Sequence, residues 1–267
     1  MSGWIREHRL AAFFILSYAL AWAGLVFYAA GLLSEPLFLP CGPLLATLVV
    51  IGFTEGRPGY RRLLGRMTRW RVGWPWWLVA VGLPVAMVLA TALLNGGAVA
   101  PAWGAAVLAT GLFLVNPVGG ALGEEPGWRG YAVPGLQARW SPLGSALVLG
   151  VLVAGWHAPL VLTGQLGAIG LVSTAAITVV YSWLFNRTGG SALLTLVAHA
   201  VQDGFTFGSL GYSPADLARA EYLYCLVVVT VAVLLVAVDR AAWRAAPGLH
   251  RPTDRSYPVV AHGARRP

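Results

Sequence analysis

Eight apolar runs constrain this chain more than any other feature of its sequence. A helix needs about 20 apolar residues to cross a hydrocarbon core of ~30 Å. The runs that reach or approach this length are Leu10–Leu33, Leu37–Phe53, Trp74–Leu94, Trp103–Leu122, Leu143–Thr163, Leu166–Phe185, Ser191–Leu210 and Tyr222–Val238. The sequence therefore predicts an all-α, polytopic membrane protein with about eight transmembrane helices.

The composition excludes several other classes of protein. Hydrophobic residues make up 58% of the 267 residues and charged residues 10%, whereas a soluble domain has about 25% charged residues. This argues against a water-soluble monomer, a disordered chain, a disulfide scaffold and a nucleic-acid-binding domain. We expect membrane lipid as a partner, and no nucleic acid.

The net charge of +8 is explained by membrane topology. All 18 basic residues are Arg, and on the eight-span scheme all of them except Arg219 fall on one side. Because loops rich in basic residues stay in the cytoplasm, we expect a multi-pass protein of the cell membrane with both termini cytoplasmic. Residues 1–243 are predicted to form one membrane domain. Residues 244–267, rich in Pro and Arg, are predicted to form a disordered cytoplasmic tail.

A pair of acidic residues stands at the end of the fourth predicted span, in Gly-Glu124-Glu125-Pro-Gly-Trp-Arg129. Neighbouring residues on a helix point about 100° apart, so the two carboxylates are expected to have different partners. Glu125 and Arg129 are four residues apart and can pair on one helix face. That leaves Glu124 as the carboxylate available for chemistry.

Two intramembrane histidines complete a set of ionisable residues in the fourth to seventh spans. His157 lies in the fifth predicted span, and His199 and Asp203 lie four residues apart in the seventh. Ionisable residues inside membrane spans are costly and suggest a functional site. A carboxylate, an Arg and two imidazoles in one helical bundle are the components of a hydrolytic site.

The residue types favour a water-activating Glu/His site over other hydrolytic sites. The zinc motif H-E-x-x-H and the nucleophile elbow G-x-S-x-G are both absent. A site built from Ser191 and His199 would leave Glu124 and His157 without a role. An aspartic dyad of Glu124 with Asp203 remains an open alternative.

The three motifs together resemble the CPBP family of CAAX proteases and bacteriocin-processing enzymes, also called the Abi family. The matching features are E-E-x-x-x-R at Glu124, a His in a W-H-x-P setting at His157, and H-x-x-x-D at His199. The resemblance covers roughly residues 112–208. It implies an intramembrane endopeptidase that acts near the cytoplasmic membrane face, with a peptide or protein as its substrate and partner.

The resemblance also implies roles for these residues. Glu124 and His157 would activate the attacking water, and His199 and the residue at position 203 would stabilise the oxyanion. Glu125 and Arg129 would be structural partners. Members of the family are catalogued as metalloproteases, so two alternatives stay open. Either a divalent metal such as Zn²⁺ is held by residues among Glu124, His157, His199 and Asp203, or catalysis is metal-free.

The chain departs from the family pattern at two positions. Val153 stands where a Phe usually precedes the His of the second motif, which should affect packing more than chemistry. Asp203 stands where Asn is common, and an ionised Asp cannot donate a hydrogen bond to an oxyanion. Asp203 could instead orient His199 or bind metal.

Two other classes of function remain as alternatives. A non-enzymatic immunity or scaffold protein could keep the fold, although no motif residue is missing. A proton-coupled transporter could use the same Glu, His and Asp residues as a relay, although the inverted repeats common in transporters are not apparent. The prenylated substrate of eukaryotic relatives is not transferred to this chain.

Overall fold

The computed structural model of the chain describes residues 2–97, 102–207 and 212–243. Within these residues all regular secondary structure is helical, which confirms the predicted all-α class. The predicted disordered tail, residues 244–267, lies outside the described residues and stays a prediction. The end of the predicted span Ser191–Leu210 also falls partly outside them.

The helices along the chain range from 4 to 25 residues in length. They are α1 Ser2–Glu7, α2 Arg9–Ala29, α3 Gly42–Thr54, α4 Gly56–Met67, α5 Trp74–Leu94, α6 Trp103–Val115, α7 Ala121–Gly127, α8 Val133–Gln137, α9 Pro142–Leu162, α10 Ile169–Arg187, α11 Ala192–Gly204, α12 Pro214–Val238 and α13 Arg240–Trp243. A π-helical turn, Trp128–Ala132, joins α7 to α8.

Five of these helices are long and apolar enough to cross a membrane, namely α2, α5, α9, α10 and α12. The polytopic class is therefore confirmed. The other three predicted spans contain α3, α6 and α11, which have 13 residues each. At 1.5 Å per residue such a helix is about 20 Å long, too short for a core of ~30 Å. Most of the candidate site residues lie on or between these short helices and α7.

Serine-proline pairs begin two of the long helices. The Ser141 hydroxyl accepts a hydrogen bond from the backbone N–H of Gly144 at the start of α9. The Ser213 hydroxyl accepts one from Asp216 at the start of α12. Each Ser satisfies a backbone donor that the helix leaves free, and the following Pro has no N–H to satisfy. These caps fix where each helix enters the bundle.

The predicted span Trp103–Leu122 is not one helix. Helix α6 ends at Val115, and α7 begins only at Ala121. Between them Gly120 has a φ of +59°, a conformation open to glycine at little cost. Pro117 has no backbone N–H to continue the helical hydrogen bonds. The acidic pair consequently lies in a helix of its own, inside the bundle.

Two glycines let α7 approach α3 closely. A Cβ added to Gly123 would lie 2.9 Å from the carbonyl oxygen of Pro40, and one added to Gly127 would lie 2.5 Å from the Cβ of Pro43. Glycine at these two positions, four residues apart on one face, therefore allows the contact. The opposite side of α7 packs against α11, so α7 lies between two of the short helices.

The Arg-rich segment between the second and third predicted spans, residues 54–73, contains a helix, α4, that supports the site. Leu63 of α4 is buried, and its side chain packs against the backbone of Gly130. The Arg66 guanidinium donates a hydrogen bond of 3.1 Å to the carbonyl oxygen of Gly130. Helix α4 therefore contacts the π-helical turn that follows the acidic pair.

Candidate active site

Glu124 is a buried carboxylate with one hydrogen-bond donor among the described residues. Its side chain lies in α7 and is 5% exposed. The indole N–H of Trp128 donates to Oε2 over 3.1 Å. Trp128 is itself fully buried, with its ring packed edge-on against those of Phe13 and Trp156. The aromatic cluster thus fixes one carboxylate oxygen of Glu124.

Glu125 and Arg129 form a buried ion pair. Nη1 of Arg129 lies 2.8 Å from Oε1 of Glu125, and the two side chains are 2% and 0% exposed. The guanidinium carbon of Arg129 also lies 5.2 Å from the ring centre of Tyr181 in α10, within range of a cation–π interaction. Arg129 is therefore not a solvent-exposed loop residue, because it neutralises a carboxylate inside the bundle.

His199 lies between two carboxylates. Its Nδ1 is 2.9 Å from Oε1 of Glu125, and its Nε2 is 3.6 Å from Oδ2 of Asp203. Glu125 therefore contacts both Arg129 and His199, and α7 is tied to α11. The sequence pattern suggested Asp203 as a partner of His199 but did not predict Glu125 as one.

His157 is oriented by its own helix. Its Nδ1 lies 2.9 Å from the carbonyl oxygen of Val153, one turn earlier in α9. A carbonyl can only accept, so Nδ1 carries the proton and Nε2 of the neutral ring is an acceptor. The ring also contacts those of Trp156 and Phe38. A free Nε2 lone pair on a fixed ring is the feature that a general base or a metal ligand requires.

Some of the predicted site residues contact one another directly, and others lie near one another without a direct contact. Glu125, Arg129, His199 and Asp203 form one network of direct contacts. Glu124 lies within electrostatic range of His199, Asp203 and Glu125. His157 lies within electrostatic range of His199, but among the described residues its hydrogen bond is to its own helix.

Three residues near this network were not predicted. Trp128 holds Glu124, and its spacing of four residues from Glu124 could have suggested a contact on one helix face. The hydroxyl of Tyr181 donates a hydrogen bond of 2.6 Å to Oε1 of Gln202, and its ring packs against Arg129 and His199. No sequence spacing signals these contacts between helices.

The positions of the donor atoms determine whether the candidate residues could bind one metal ion together. Among residues 2–97, 102–207 and 212–243, no three His, Cys, Asp or Glu side chains are grouped as ligands of one ion. Nδ1 of His199 lies against Glu125, and its Nε2 lies beside Asp203. The donor set Glu124, His157, His199 and Asp203 therefore does not fit one ion in this arrangement. Ligation of a divalent metal by these residues stays a prediction, and no step below is derived through it.

Comparison with known proteins places the site inside a matched segment. Residues 106–205 match the family described as type II CAAX prenyl endopeptidase, Rce1-like. This segment contains every residue of the predicted site and nearly coincides with the predicted resemblance over residues 112–208. The resemblance to the CPBP family that the three motifs indicated is confirmed for this segment.

A curated relative supports the same conclusion at a lower level of similarity. CAAX prenyl protease 2 of Methanococcus maripaludis is 26% identical over 88 residues. The aligned stretch is 28% of this chain and spans about a third, 32%, of the length of the relative. The similarity thus concerns part of each protein.

Proposed function

We propose that this chain, whose residues 106–205 are Rce1-like, is an intramembrane endopeptidase that cleaves a peptide bond with a water molecule activated by Glu124 and His157. One observation carries the proposal. Of the two buried carboxylates on α7, Glu125 is neutralised by Arg129 and His199, whereas Glu124 accepts, among the described residues, only a neutral indole donor. Glu124 is therefore the carboxylate with capacity to take a proton.

The proposed reaction consumes one water. The Glu124 carboxylate removes a proton from the water while the water oxygen attacks the carbonyl carbon of the substrate. Nε2 of His157 accepts a hydrogen bond from the same water and orients it. The C–N bond then breaks, the leaving nitrogen takes the proton from Glu124, and a carboxylic acid and an amine are released.

We assign oxyanion stabilisation to His199. Its Nδ1–H donates to Glu125, so the protonated ring presents Nε2–H as a second donor. Asp203, 3.6 Å from Nε2, is an acceptor and orients this ring. The oxyanion donor at this site is then a single imidazolium that two carboxylates hold in place. Asp203 therefore acts as a positioning residue.

The substrate class is a peptide or protein that reaches the site within the membrane. Expected partners are lipid and this substrate, and both termini are proposed to face the cytoplasm. The relative is named CAAX prenyl protease 2, but the buried polar site does not itself specify a lipid-modified substrate. We therefore propose peptide-bond hydrolysis without assigning a prenyl group. The expected cleavage position, near the cytoplasmic membrane face, also remains a proposal.

The test is a cleavage assay with purified full-length protein in lipid vesicles and a panel of peptides. Wild type is expected to cleave at least one peptide, and Glu124→Gln to reduce kcat by about 10³-fold. Glu35→Gln is the matched control, because Glu35 is exposed and outside the site. Equal cleavage by wild type and Glu124→Gln would overturn the assignment.

The same preparation distinguishes the alternative functions. Proton-coupled flux that Glu124→Gln abolishes, in protein that cleaves none of the peptides, would identify a transporter. Absence of both activities would favour an immunity or scaffold protein.

A further inference from the structure

A small cavity with both apolar and polar residues in its lining lies beside the candidate site. It has a volume of about 160 Å³ and is bounded by α10, α11 and α12. Its polar lining comes from Ser173, Thr174, Gln202, Glu221 and Tyr224. In the catalytic proposal above, none of these residues has a role.

One wall of the cavity carries a buried polar atom without a partner. Within the described residues, the hydroxyl of Tyr224 is buried and makes no hydrogen bond. An unsatisfied buried hydroxyl is costly, and buried polar groups in proteins are usually satisfied by protein or by ordered water. A cavity of this volume has room for several waters, each of which occupies about 30 Å³ in the liquid. Water is therefore the ligand that fits the lining of this cavity.

The cavity shares its inner wall with the candidate site. Gln202 lies next to Asp203 in the chain and accepts a hydrogen bond from Tyr181. The Tyr181 ring in turn lies 5.7 Å from that of His199. Asp203 is also within electrostatic range of Tyr224. A polar path therefore leads from Tyr224 past Gln202 to Asp203 and His199.

The other end of the cavity lies near the connection between α9 and α10. A Cβ added to Gly167 would overlap the Glu221 carboxylate, so Glu221 sits directly on this connection. The connection is at the end of the bundle opposite the Arg-rich loops. The cavity thus extends from the Arg-poor end of the bundle toward its centre.

A larger groove nearby has different chemistry. It has a volume of about 720 Å³ and is lined mainly by Leu, Val and Ala side chains of α9, α10 and α12. On α10, Val172 and Ala176 face this groove, whereas Ser173 and Thr174 face the small cavity. Because an apolar groove lacks hydrogen-bonding partners for water, the two faces of α10 are expected to differ in hydration.

We propose that the cavity between α10, α11 and α12 is filled with water and supplies the hydrolytic water to the site from the Arg-poor end of the bundle. The supply role rests on the proposed function, but the hydration of the cavity does not. Tyr224 and Gln202 act as positioning residues that hold waters next to Asp203. The peptide can then reach Glu124 and His157 without sharing an entrance with the water.

Hydration is tested by thiol labelling, which needs no catalytic activity. In protein whose natural cysteines, Cys41 and Cys225, are replaced by Ala, Thr174→Cys and Val172→Cys are compared in vesicles with a charged, water-soluble thiol reagent. Because the thiolate is the reactive form and needs water, Thr174→Cys is expected to react at least about tenfold faster. Equal or reversed rates would show a dry cavity and overturn the proposal.

The supply role is tested on cleavage. Thr174→Leu, which fills the cavity with an apolar side chain, and Tyr224→Phe are expected to lower kcat about tenfold with KM unchanged. Tyr222→Phe is the matched control, since Tyr222 is 66% exposed. Full kcat in both cavity variants would overturn the supply role. Failure of the proposed function is a different result, in which wild type cleaves no peptide while the labelling difference persists.

Discussion

Nδ1 of His199 lies 2.9 Å from the Glu125 carboxylate, although 74 residues separate the two in the sequence. The same carboxylate oxygen lies 2.8 Å from Arg129. Glu125 therefore connects α7 to α11 and also neutralises a buried guanidinium. This double role separates the two adjacent glutamates, since Glu125 is held in an ion-pair network and Glu124 is the one that we propose for chemistry.

The first prediction is that Glu125→Gln destabilises the protein strongly. The substitution leaves Arg129, which is 2% exposed, without its charged partner. Removing one member of a buried ion pair typically costs about 3–5 kcal/mol. A denaturant titration in detergent should show a loss of this size in the free energy of unfolding.

Replacement of both partners tests the cause of that loss. Glu125→Gln combined with Arg129→Met removes both charges and is expected to recover part of the stability, because no uncompensated charge remains. The exposed Glu35→Gln variant should unfold like wild type. A double variant less stable than Glu125→Gln alone would contradict the ion-pair explanation.

The sequence predicted the presence of the membrane helices better than it predicted their lengths. Each of the eight apolar runs contains a helix, because lipid requires backbone polar groups to be satisfied within the segment. Hydropathy did not locate the end of α6, since the residues that follow it are largely apolar while their Pro and Gly prevent a helix. It also missed α4, whose Arg residues and glycines are typical of a loop.

Contacts across the site were harder to predict than its residue types. The spacing of Glu125 and Arg129 indicated a pair because one turn of helix fixes their separation. No such rule connects α7 to α11, so the contact between Glu125 and His199 depends on how Gly123 and Gly127 seat α7 on α3. Tyr181 was missed for the same reason, because its contacts come from the packing of α10.

The second prediction is that substitutions of the two histidines differ in their effect on the stability of the protein. His157→Gln is expected to lower kcat by about 10²–10⁴-fold with little change in unfolding free energy, because the ring hydrogen-bonds only to its own helix. His199→Gln is expected to lower both, because it also loses the contact with Glu125. Cleavage kinetics and denaturant titrations on the same preparations check this. Similar unfolding free energies for the two variants would contradict the distinction.

The third prediction concerns Asp203, the departure from the family pattern. Asp203→Asn keeps an acceptor oxygen for His199 and adds an N–H donor, so kcat should stay within about tenfold of wild type. Asp203→Leu removes the acceptor and should lower kcat by about 10²-fold or more. Loss of activity in the Asn variant as large as in the Leu variant would mean that the negative charge itself is required.

The fourth prediction is that Gly120→Ala impairs the site without changing any ionisable residue. Gly120 has a φ of +59°, and an added Cβ would lie 2.7 Å from the Phe113 ring and 2.8 Å from Oδ2 of Asp203. Backbone strain and this contact should together cost about 1–3 kcal/mol of stability and displace Asp203 from His199. Gly104→Ala is the matched control, because a Cβ there meets nothing within 4 Å. Unfolding titrations and kcat of the two variants decide the outcome, and equal behaviour would mean that the turn before α7 does not position Asp203.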